Sequence, residues 1–269
     1  MRHNNIKIIA EIGWNHMGNI KLAEKMIKSA SKNGADICKF QTWSEKNLKP
    51  GPWDKDGRRE IYKKAELTQK KHMILKEICK DNKVEFLTSI FNEKDINFLS
   101  KLNNKLIKIP SHEIGNYKLI EKAEKKFKKI LISTGASKWK EVMKIVNNLN
   151  IDKIILMHCV SSYPCPLENI NLSRLVKLKE YSEIGYSGHL QGIEDSIAAI
   201  CLGAKFIEKH FTIDNNLPGR DNKFAITPNM LKELSIFRDK FLSMSISHGL
   251  DLQKSELDTF KNYRGRWKI

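Results

Sequence analysis

The stretch that decides the fold runs from residue 184 to residue 221. It opens with IGYSGH (184–189), passes through a helical interval and reaches KFIEKHF (205–211). Apolar residues recur in the interval at i, i+4, i+7 and i+8, a spacing that predicts one face of a helix. They are Ile193, Ile197, Ile200 and Cys201. The stretch therefore predicts a strand–helix–strand unit with strands over Ile184–Tyr186 and Lys205–Phe211.

A histidine stands at the end of each of these strands, His189 on the first and His210 on the second. The carboxyl ends of neighbouring parallel strands lie side by side, so the two imidazoles can share a divalent metal. Two protein ligands leave positions open for water and substrate, as a catalytic metal requires. For either residue alone, a hydrogen-bonded core histidine is the alternative. His16, His112 and His158 are weaker candidates for the same role.

The composition is that of a soluble globular protein. The chain has 269 residues, of which 41% are hydrophobic and 29% charged, and about 250 residues suit one α/β barrel. The sequence contains neither a long apolar run nor a recognisable secretion signal, so we expect no membrane contact. Five cysteines without paired spacing predict buried free thiols in a reducing cytoplasm.

A formal net charge of +17 raises the question of a nucleic-acid partner. However, the lysines are scattered over predicted helix faces, and no basic block is interleaved with aromatic residues. We therefore expect no nucleic-acid binding. Solvated lysine faces, which can assist capture of an anionic substrate, are the preferred interpretation.

Strand-like and helix-like stretches alternate along the whole chain. The other predicted strands are Ile6–Ile12, Asp36–Gln41, Val84–Ser89, Leu106–Pro110, Lys129–Thr134 and Lys153–His158. The helices between them include one begun by Asn116 as its cap, one after a Ser137 cap, and a short one near Arg58–Lys64. Eight such pairs predict a single (β/α)8 TIM barrel over residues 1–245, followed by a polar tail (246–269) without a second domain.

A doubly wound open sheet is the alternative architecture. That fold usually places a glycine-rich phosphate turn, GxGxxG, after its first strand. The turn in this chain reads GWNHMGN (13–19) and does not fit the pattern. The closed barrel is therefore the preferred prediction, and it places the active site at the carboxyl ends of the strands.

Two lysines, Lys39 in ICKFQ and Lys108 in LIKIP, interrupt apolar strands. A buried lysine is costly without an anionic partner, although its stem can also pack while its ammonium group reaches solvent. Several serines follow strands at the same end of the predicted barrel. They are Ser89, Ser111, Ser133 and Ser187. Lysines and hydroxyls together suit a phosphate and a carboxylate, so this pattern predicts a small phosphorylated acid as ligand.

Three carboxylates, Glu11, Glu113 and Asp221, belong to the same predicted rim. They can orient sugar hydroxyls or move protons. The alternative is that each forms a structural salt bridge with Lys39 or Lys108.

Seven motifs, in this order along the chain, resemble those of the sialic acid (N-acetylneuraminate) synthases. They are AEIGWNHMGN (10–19), CKFQTW (38–43), IKIPSHEIGNYKLI (107–120), ILISTGAS (130–137), MHCVSSYPCP (157–166), IGYSGH (184–189) and IEKHFTIDNNLPGRDN (207–222). The resemblance implies condensation of phosphoenolpyruvate with an N-acetylmannosamine-like sugar to a nine-carbon keto-sugar acid. It also implies release of phosphate by C–O cleavage, assistance by a divalent metal, and a homodimer.

The resemblance also implies roles for individual residues. His189 and His210 correspond to the metal ligands, for which Mn²⁺ is favoured over Mg²⁺ or Co²⁺. Lys39 and Lys108 correspond to phosphoenolpyruvate contacts, and Glu113 to the acid–base residue. The remaining phosphoenolpyruvate contacts are Ser89, Ser111, Ser133, Ser161 and Ser187. The implied sugar contacts are Glu11, Gln41, Tyr163 and Asp221.

The chain departs from the family pattern in two ways. Relatives commonly continue into an antifreeze-like domain, whereas this sequence stops at Ile269, so we expect a short form. Three interpretations stay open: the substrate is recognised differently, a separate antifreeze-like protein supplies the cap, or the chain is truncated. Second, Gly188 and Arg220 replace residues that relatives often have as Asp and Pro. The alternatives to a synthase are another phosphoenolpyruvate–aldose condensing enzyme, a metal-dependent aldolase, or a non-catalytic phosphometabolite-binding barrel.

Overall fold

The computed structural model describes residues 6–267 and contains a closed barrel of eight parallel strands, paired in sequence order with β1 beside β8. The (β/α)8 prediction is confirmed, and the open sheet is wrong. The strands are β1 Lys7–Gly13, β2 Ile37–Thr42, β3 Glu85–Ile90, β4 Leu106–Ile109, β5 Lys129–Ser133, β6 Ile154–Cys159, β7 Glu183–Gly188 and β8 Phe206–His210. The predicted bounds differ from these by at most two residues.

The helices connect successive strands on the outside of the barrel. They are α1 Ile20–Lys32, α2 Arg58–Ala65, α3 Gln69–Asp81, α4 Ile96–Leu102, α5 Tyr117–Lys126, α6 Trp139–Asn148, α7 Leu172–Leu178, α8 Glu194–Cys201 and α9 Pro228–Met244. Asn116 caps α5 as predicted, because its side chain accepts from the Leu119 amide. The Ser137 cap was wrong. The cap position of α6 is Lys138, and the Ser137 hydroxyl donates to the Thr134 carbonyl instead.

The core has two parts. The larger part lies between the strands and the helices, where the outward faces of the strands meet the apolar faces of the helices. The smaller part fills the barrel interior with the side chains of Ile9, Ile37, Leu87, Leu131, Ile155 and Met157. Burial of both strand faces explains why the strands read as continuous Ile, Val and Leu runs.

The segment between β2 and α3 crosses toward the barrel mouth. Its helix α2 confirms the short helix predicted near Arg58–Lys64. Trp14 packs against Trp43 and Tyr62, with ring centroids 6.1 Å and 5.0 Å away. This aromatic cluster anchors α2 over one side of the mouth.

Beyond α9, the described part of the tail is exposed to solvent, and it does not pack across the barrel. Leu250 and Trp267 are among its exposed apolar side chains. All five cysteines are free thiols; Cys201 is exposed and the other four are buried. Within residues 6–267, no helix combines the length and apolarity needed to cross a membrane.

Candidate active site

Side chains alternate between the two faces of each strand, so residues two apart share the barrel interior. Just beyond the apolar interior core, the next inward position on most strands is polar. Ile9 is followed by Glu11, Ile37 by Lys39, and Leu131 by Ser133. The other members of this layer are Ser89, Lys108, Ser187 and Glu208, and all seven are almost fully buried. The sequence thus places a charged layer on an apolar floor.

Lys39 lies at the centre of this layer. Its Nζ is 2.9 Å from Glu11 Oε2 and 3.5 Å from Glu208 Oε1, and it donates to Ser89 Oγ at 2.9 Å. Gln41 Nε2 donates to the other oxygen of Glu11. The predicted residues Glu11, Lys39, Gln41 and Ser89 are therefore brought together in one network.

Glu208 joins the two predicted lysines. Lys108 Nζ is 3.0 Å and 2.9 Å from its two carboxylate oxygens, and Ser187 Oγ donates to Oε1 at 3.1 Å. Sequence reasoning did not select Glu208 as a site residue. The signal was present, because a glutamate interrupts the apolar run of β8 two positions before His210.

The pKa values of this network follow from burial and pairing. Burial raises the pKa of Glu11 to about 7, against the opposing effect of Lys39. Burial also disfavours ionised Glu208, but Lys108 and Lys39 lower its pKa to about 2. For the lysines, burial lowers the pKa of Lys108 despite Glu208, whereas Glu11 and Glu208 outweigh burial and raise that of Lys39. Glu208 is thus ionised and Glu11 can exchange a proton near neutrality.

The two predicted metal ligands lie side by side above this layer, with ring centroids 5.6 Å apart. Nδ1 of His189 is 2.7 Å from the Val160 carbonyl oxygen, a contact that fixes the ring. Nδ1 of His210 is buried without a hydrogen-bond partner among the described residues, although Asp221 Oδ2 is 3.4 Å away. Burial holds the pKa of His210 well below its usual range, which keeps the ring neutral.

The ring of His210 fits a divalent cation, because a neutral imidazole with an unsatisfied nitrogen is a ready ligand. However, residues 6–267 contain no group of three or more His, Cys, Asp or Glu side chains arranged to hold a metal. The histidine pair is thus an open, two-ligand arrangement, and the metal stays a prediction.

A buried ion pair stands behind the histidines, on the outer face of the barrel. Lys209 Nζ is 3.1 Å from Asp195 Oδ2 and donates to the Leu190 carbonyl at 2.7 Å. Tyr186 donates its hydroxyl to the same carboxylate oxygen at 3.0 Å. Lys209 directly precedes His210, and Leu190 directly follows His189. The bond between them therefore links the ends of the two strands that carry the histidines.

Gly188 lies against this ion pair. A Cβ at Gly188 would stand 2.3 Å from Asp195 Oδ2. The aspartate that relatives often have at this position does not fit the present arrangement.

Ser111 and Cys159 line the cavity inside the barrel. Ser111 Oγ donates to Cys159 Sγ at 3.4 Å. Gly135 leaves the space between them, because a Cβ there would stand 2.8 Å from Ser111 Oγ and 2.5 Å from Ser161 Oγ. Sequence reasoning missed Gly135 and treated Cys159 as an inert thiol.

Replacing Gly135 with alanine should lower kcat/KM about 100-fold, since displacing positioned groups by about 1 Å has effects of this size. The barrel should remain folded, as circular dichroism would verify. Ala136→Gly is the matched control, because Ala136 has a φ of 48°, which glycine adopts readily. Equal activity of the Gly135→Ala variant and the native protein would show that this space is not used.

Not every predicted site residue enters the cavity at the mouth. That cavity, of about 310 Å³, is lined by Glu11, Trp14, Gln41, Arg58, Tyr62, Phe91, Lys108, Pro110, Ser111, His112, Ser133, Cys159, Tyr163, Ser187, His189, Glu208, His210, Arg220 and Asp221. Lys39 and Ser89 are absent from this lining; Lys39 pairs with Glu11 and Glu208, which line the cavity, and donates to Ser89. Glu113 and Ser161 are outside this lining.

Glu113, predicted as the acid–base residue, accepts from Asn116 Nδ2 at 3.0 Å at the start of α5. Its neighbour His112 lines the cavity instead. Tyr163 covers His189, with ring centroids 4.1 Å apart, and burial raises the pKa of Asp221 to about 6. The acids that face the cavity are therefore Glu11, Glu208 and Asp221, and the role of Glu113 stays a prediction.

His16, a weaker metal candidate, has a structural role. It is fully buried, and its Nδ1 accepts from the Gly18 amide at 2.9 Å. Burial lowers its pKa from 6.5 to about 4. Folded protein thus keeps His16 neutral while the unfolded chain takes up a proton below pH 6.5, so its contribution to stability is lost as pH falls from 6.5 to 4.

That shift predicts a loss of about 3 kcal/mol in the free energy of unfolding over this pH range. His16→Asn, which retains an acceptor, should reduce the acid destabilisation by about this amount. Urea unfolding of both proteins between pH 4 and 7 measures the difference. Parallel stability–pH curves would contradict the assignment.

Comparison with known proteins identifies the family of the chain. The family model described as "NeuB family" matches residues 26–241. The chain belongs to the NeuB family. Its relatives include an N,N'-diacetyllegionaminic acid synthase of Campylobacter jejuni, 38% identical over 245 residues that cover 84% of this chain and 73% of that protein. An N-acetylneuraminate-9-phosphate synthase of Drosophila melanogaster is 34% identical, covering 90% and 70%.

A solved structure agrees with this membership of the NeuB family. An N-acetylneuraminic acid (sialic acid) synthetase from Leptospira borgpetersenii, crystallised with citrate, superposes with a TM-score of 0.86 at 30% sequence identity. The match covers 98% of this chain and 94% of that chain. The resemblance seen in the seven motifs is therefore confirmed at the level of family and fold.

Proposed function

We propose that this NeuB family member condenses phosphoenolpyruvate with an N-acetylmannosamine-like aldose, giving a nine-carbon 2-keto-3-deoxy sugar acid and phosphate. The observation that carries the proposal is the buried layer in which Lys39 and Lys108 share Glu208 beneath two neighbouring histidines. The names of its relatives, which are synthases of sialic, legionaminic and pseudaminic acids, support the same reaction class.

Phosphoenolpyruvate is held at the inner end of the cavity in this proposal. Lys108 and Lys39 supply the positive charge, and the hydroxyls of Ser111, Ser133 and Ser187 can donate to its phosphate and carboxylate. The ammonium groups are already fixed by Glu208 and Glu11. Preorganised charges of this kind stabilise a developing charge without reorganising during the reaction.

The acceptor sugar occupies the outer part, beside His189, His210 and Asp221. Glu11 and Gln41 reach it from β1 and β2. A carboxyl whose pKa is about 7 suits proton exchange at neutral pH. Glu11 therefore provides a proton for the sugar's aldehyde oxygen as that oxygen becomes a hydroxyl.

The bonds balance as follows. The methylene carbon of phosphoenolpyruvate bonds to the aldehyde carbon, and water adds to the enol carbon, where positive charge develops. The C–O bond to the bridging oxygen then breaks, so phosphate leaves and the water oxygen becomes the keto oxygen. Of the two protons of that water, one replaces the proton given by Glu11 and the other leaves with the phosphate. Lys39 and Lys108 hold the anionic groups throughout, so that positioning supplies much of the rate enhancement.

The proposal includes a divalent metal held by His189 and His210, with Mn²⁺ preferred to Mg²⁺ or Co²⁺. When bound, such an ion polarises the aldehyde as a Lewis acid. We further propose a cytoplasmic enzyme that acts as a homodimer, with a separate antifreeze-like protein that caps the mouth. These statements rest on the family resemblance and on the open histidine pair.

A phosphate-release assay tests the proposed function. The protein receives phosphoenolpyruvate, Mn²⁺ and a panel of N-acetylated six-carbon sugars, with a chelator and the His210→Ala variant in parallel. Release that requires one sugar, and is lost with chelator and in the variant, is the expected result. Absence of sugar-dependent release, with phosphoenolpyruvate still bound, would overturn the enzymatic assignment.

A further inference from the structure

A groove between the start of α6 and the helix α7 shares no lining residue with the cavity at the barrel mouth. It has a volume of about 480 Å³ and is lined by Ser137, Trp139, Asn171, Ser173, Arg174 and Lys177. We propose that this groove is a second binding site and takes an acidic sugar, meaning a pyranose that carries one carboxylate. The groove alone supports the ligand class, whereas the idea that its natural ligand is the product acid rests on the proposed function.

Arg174 supplies the positive charge of the groove. Its side chain is half-buried, and its NH2 group donates to Ser137 Oγ at 3.0 Å. Burial lowers the pKa of Arg174, and no carboxylate of residues 6–267 offsets this effect. A half-buried cation without a counter-ion is costly, so the guanidinium favours a ligand that brings a negative charge. Its planar fork can donate two parallel hydrogen bonds to a carboxylate.

The second cation of the groove, Lys177, is already neutralised. Its Nζ lies 2.6 Å from Glu180 Oε2 and 5.7 Å from the ring centroid of Tyr181. The groove therefore offers one positive charge to a ligand. One charge matches a single carboxylate better than a phosphate monoester, which carries about −1.5 to −2 at neutral pH. This balance favours a sugar acid over a nucleotide.

Trp139 gives the groove an apolar wall. Its side chain is 38% exposed, and its ring packs edge-on against Tyr181, with centroids 5.9 Å apart. A single exposed aromatic residue is ordinary on a protein surface, but this one lines a groove beside a cation that has no counter-ion. An aromatic wall with a few polar groups is typical of a small-molecule site. The indole can cover the C–H face of a pyranose while Arg174 holds its carboxylate.

Asn171 and Ser173 add hydrogen-bonding groups for sugar hydroxyls. Asn171 Oδ1 accepts from Ser173 Oγ at 2.6 Å, and Asn171 Nδ2 has no hydrogen-bond partner among the described residues. The backbone of Asn171 is left-handed, with a φ of 54°, a conformation that asparagine adopts more readily than most residues. The Asn171 amide is therefore fixed at the edge of the groove, with two N–H groups free to donate to hydroxyls.

Calorimetric titration with N-acetylneuraminic acid and with its methyl ester tests the site, with and without saturating phosphoenolpyruvate. The native protein should bind the acid equally in both conditions and the ester about tenfold or more weakly, the effect of one charge-assisted hydrogen bond. Arg174→Ala should weaken binding of the acid by a similar factor. Lys140→Ala is the matched control, because Lys140 is an exposed cation beside Trp139 and outside the lining of the groove.

A second variant separates binding from any folding defect of Arg174→Ala. Asn171→Gly keeps the left-handed backbone, which glycine adopts freely, and removes only the side-chain amide. It should remain folded by circular dichroism and weaken binding of the acid by about threefold to tenfold, while the preference for acid over ester persists.

The inference would be overturned if phosphoenolpyruvate displaced the acid, or if the native protein, Arg174→Ala and Lys140→Ala bound it equally. Failure of the native protein to bind the acid, or tighter binding of a nucleoside monophosphate, would also overturn it. The proposed condensation fails separately, when no sugar supports phosphate release. Binding of the acid that still depends on Arg174 would then uphold the acidic-sugar site without the condensation.

Discussion

Replacing Glu208 with alanine should lower the free energy of unfolding by about 3–5 kcal/mol and abolish turnover. Lys108 has no other carboxylate within ion-pair distance among the described residues, so the substitution leaves a buried ammonium group unpaired. Ser187 also loses its acceptor. Urea unfolding and the phosphate assay measure the two effects separately.

A double variant separates stability from function at this position. Lys108→Met combined with Glu208→Leu replaces the ion pair by apolar groups, and such replacements are often neutral or stabilising. The double variant should therefore be more stable than Glu208→Ala while remaining inactive. A Glu208→Ala protein that is as stable and active as the native one would refute the central position of Glu208.

The Lys209→Met variant has the second large expected effect, again about 3–5 kcal/mol of destabilisation, because it leaves the carboxylate of Asp195 buried without its cation. The variant also releases the Leu190 carbonyl, so the spacing of His189 and His210 should loosen and kcat should fall. Lys177→Met is the matched control. Its ion pair with Glu180 is exposed to solvent, so its loss should change the free energy of unfolding little.

Unfolding curves and steady-state kinetics of both lysine variants decide this point. If Lys209→Met lowered the free energy of unfolding as little as Lys177→Met does, the buried pair of Lys209 and Asp195 would not hold the strand ends together. If the fold were weakened and turnover unchanged, Lys209 would stabilise the barrel without positioning the histidines.

The sequence predicted the barrel because its signals are local. Apolar runs separated by amphipathic helices repeat eight times, and each repeat can be recognised by itself. Helix starts that depend on a cap residue were harder to predict from the sequence. Ser137 resembles a cap in sequence, but its hydroxyl is used by the Thr134 carbonyl in the turn after β5. A cap depends on the backbone geometry of the turn, which sequence pattern alone does not fix.

The site was only partly predictable for a similar reason. Charged residues inside apolar strands, such as Lys39 and Lys108, stand out in sequence because burial of a charge is costly. Glu208 carried the same signal, yet its role appears only when β2, β4 and β8 are brought round the barrel axis. Gly135 gave no sequence signal, since its function is the absence of a side chain between Ser111 and Ser161. Arg220 was noted as unusual, but only the fold shows that it lines the same cavity as Arg58, 162 positions earlier in the chain.

The most direct test of the condensation follows the bridging oxygen of phosphoenolpyruvate. The enzyme would be given substrate labelled with oxygen-18 at that position, together with the acceptor sugar, and phosphate and product would be analysed by mass spectrometry. We predict one labelled phosphate for each nine-carbon acid formed, and none without sugar. Retention of the label in the organic product, or phosphate released without sugar, would contradict condensation by C–O cleavage.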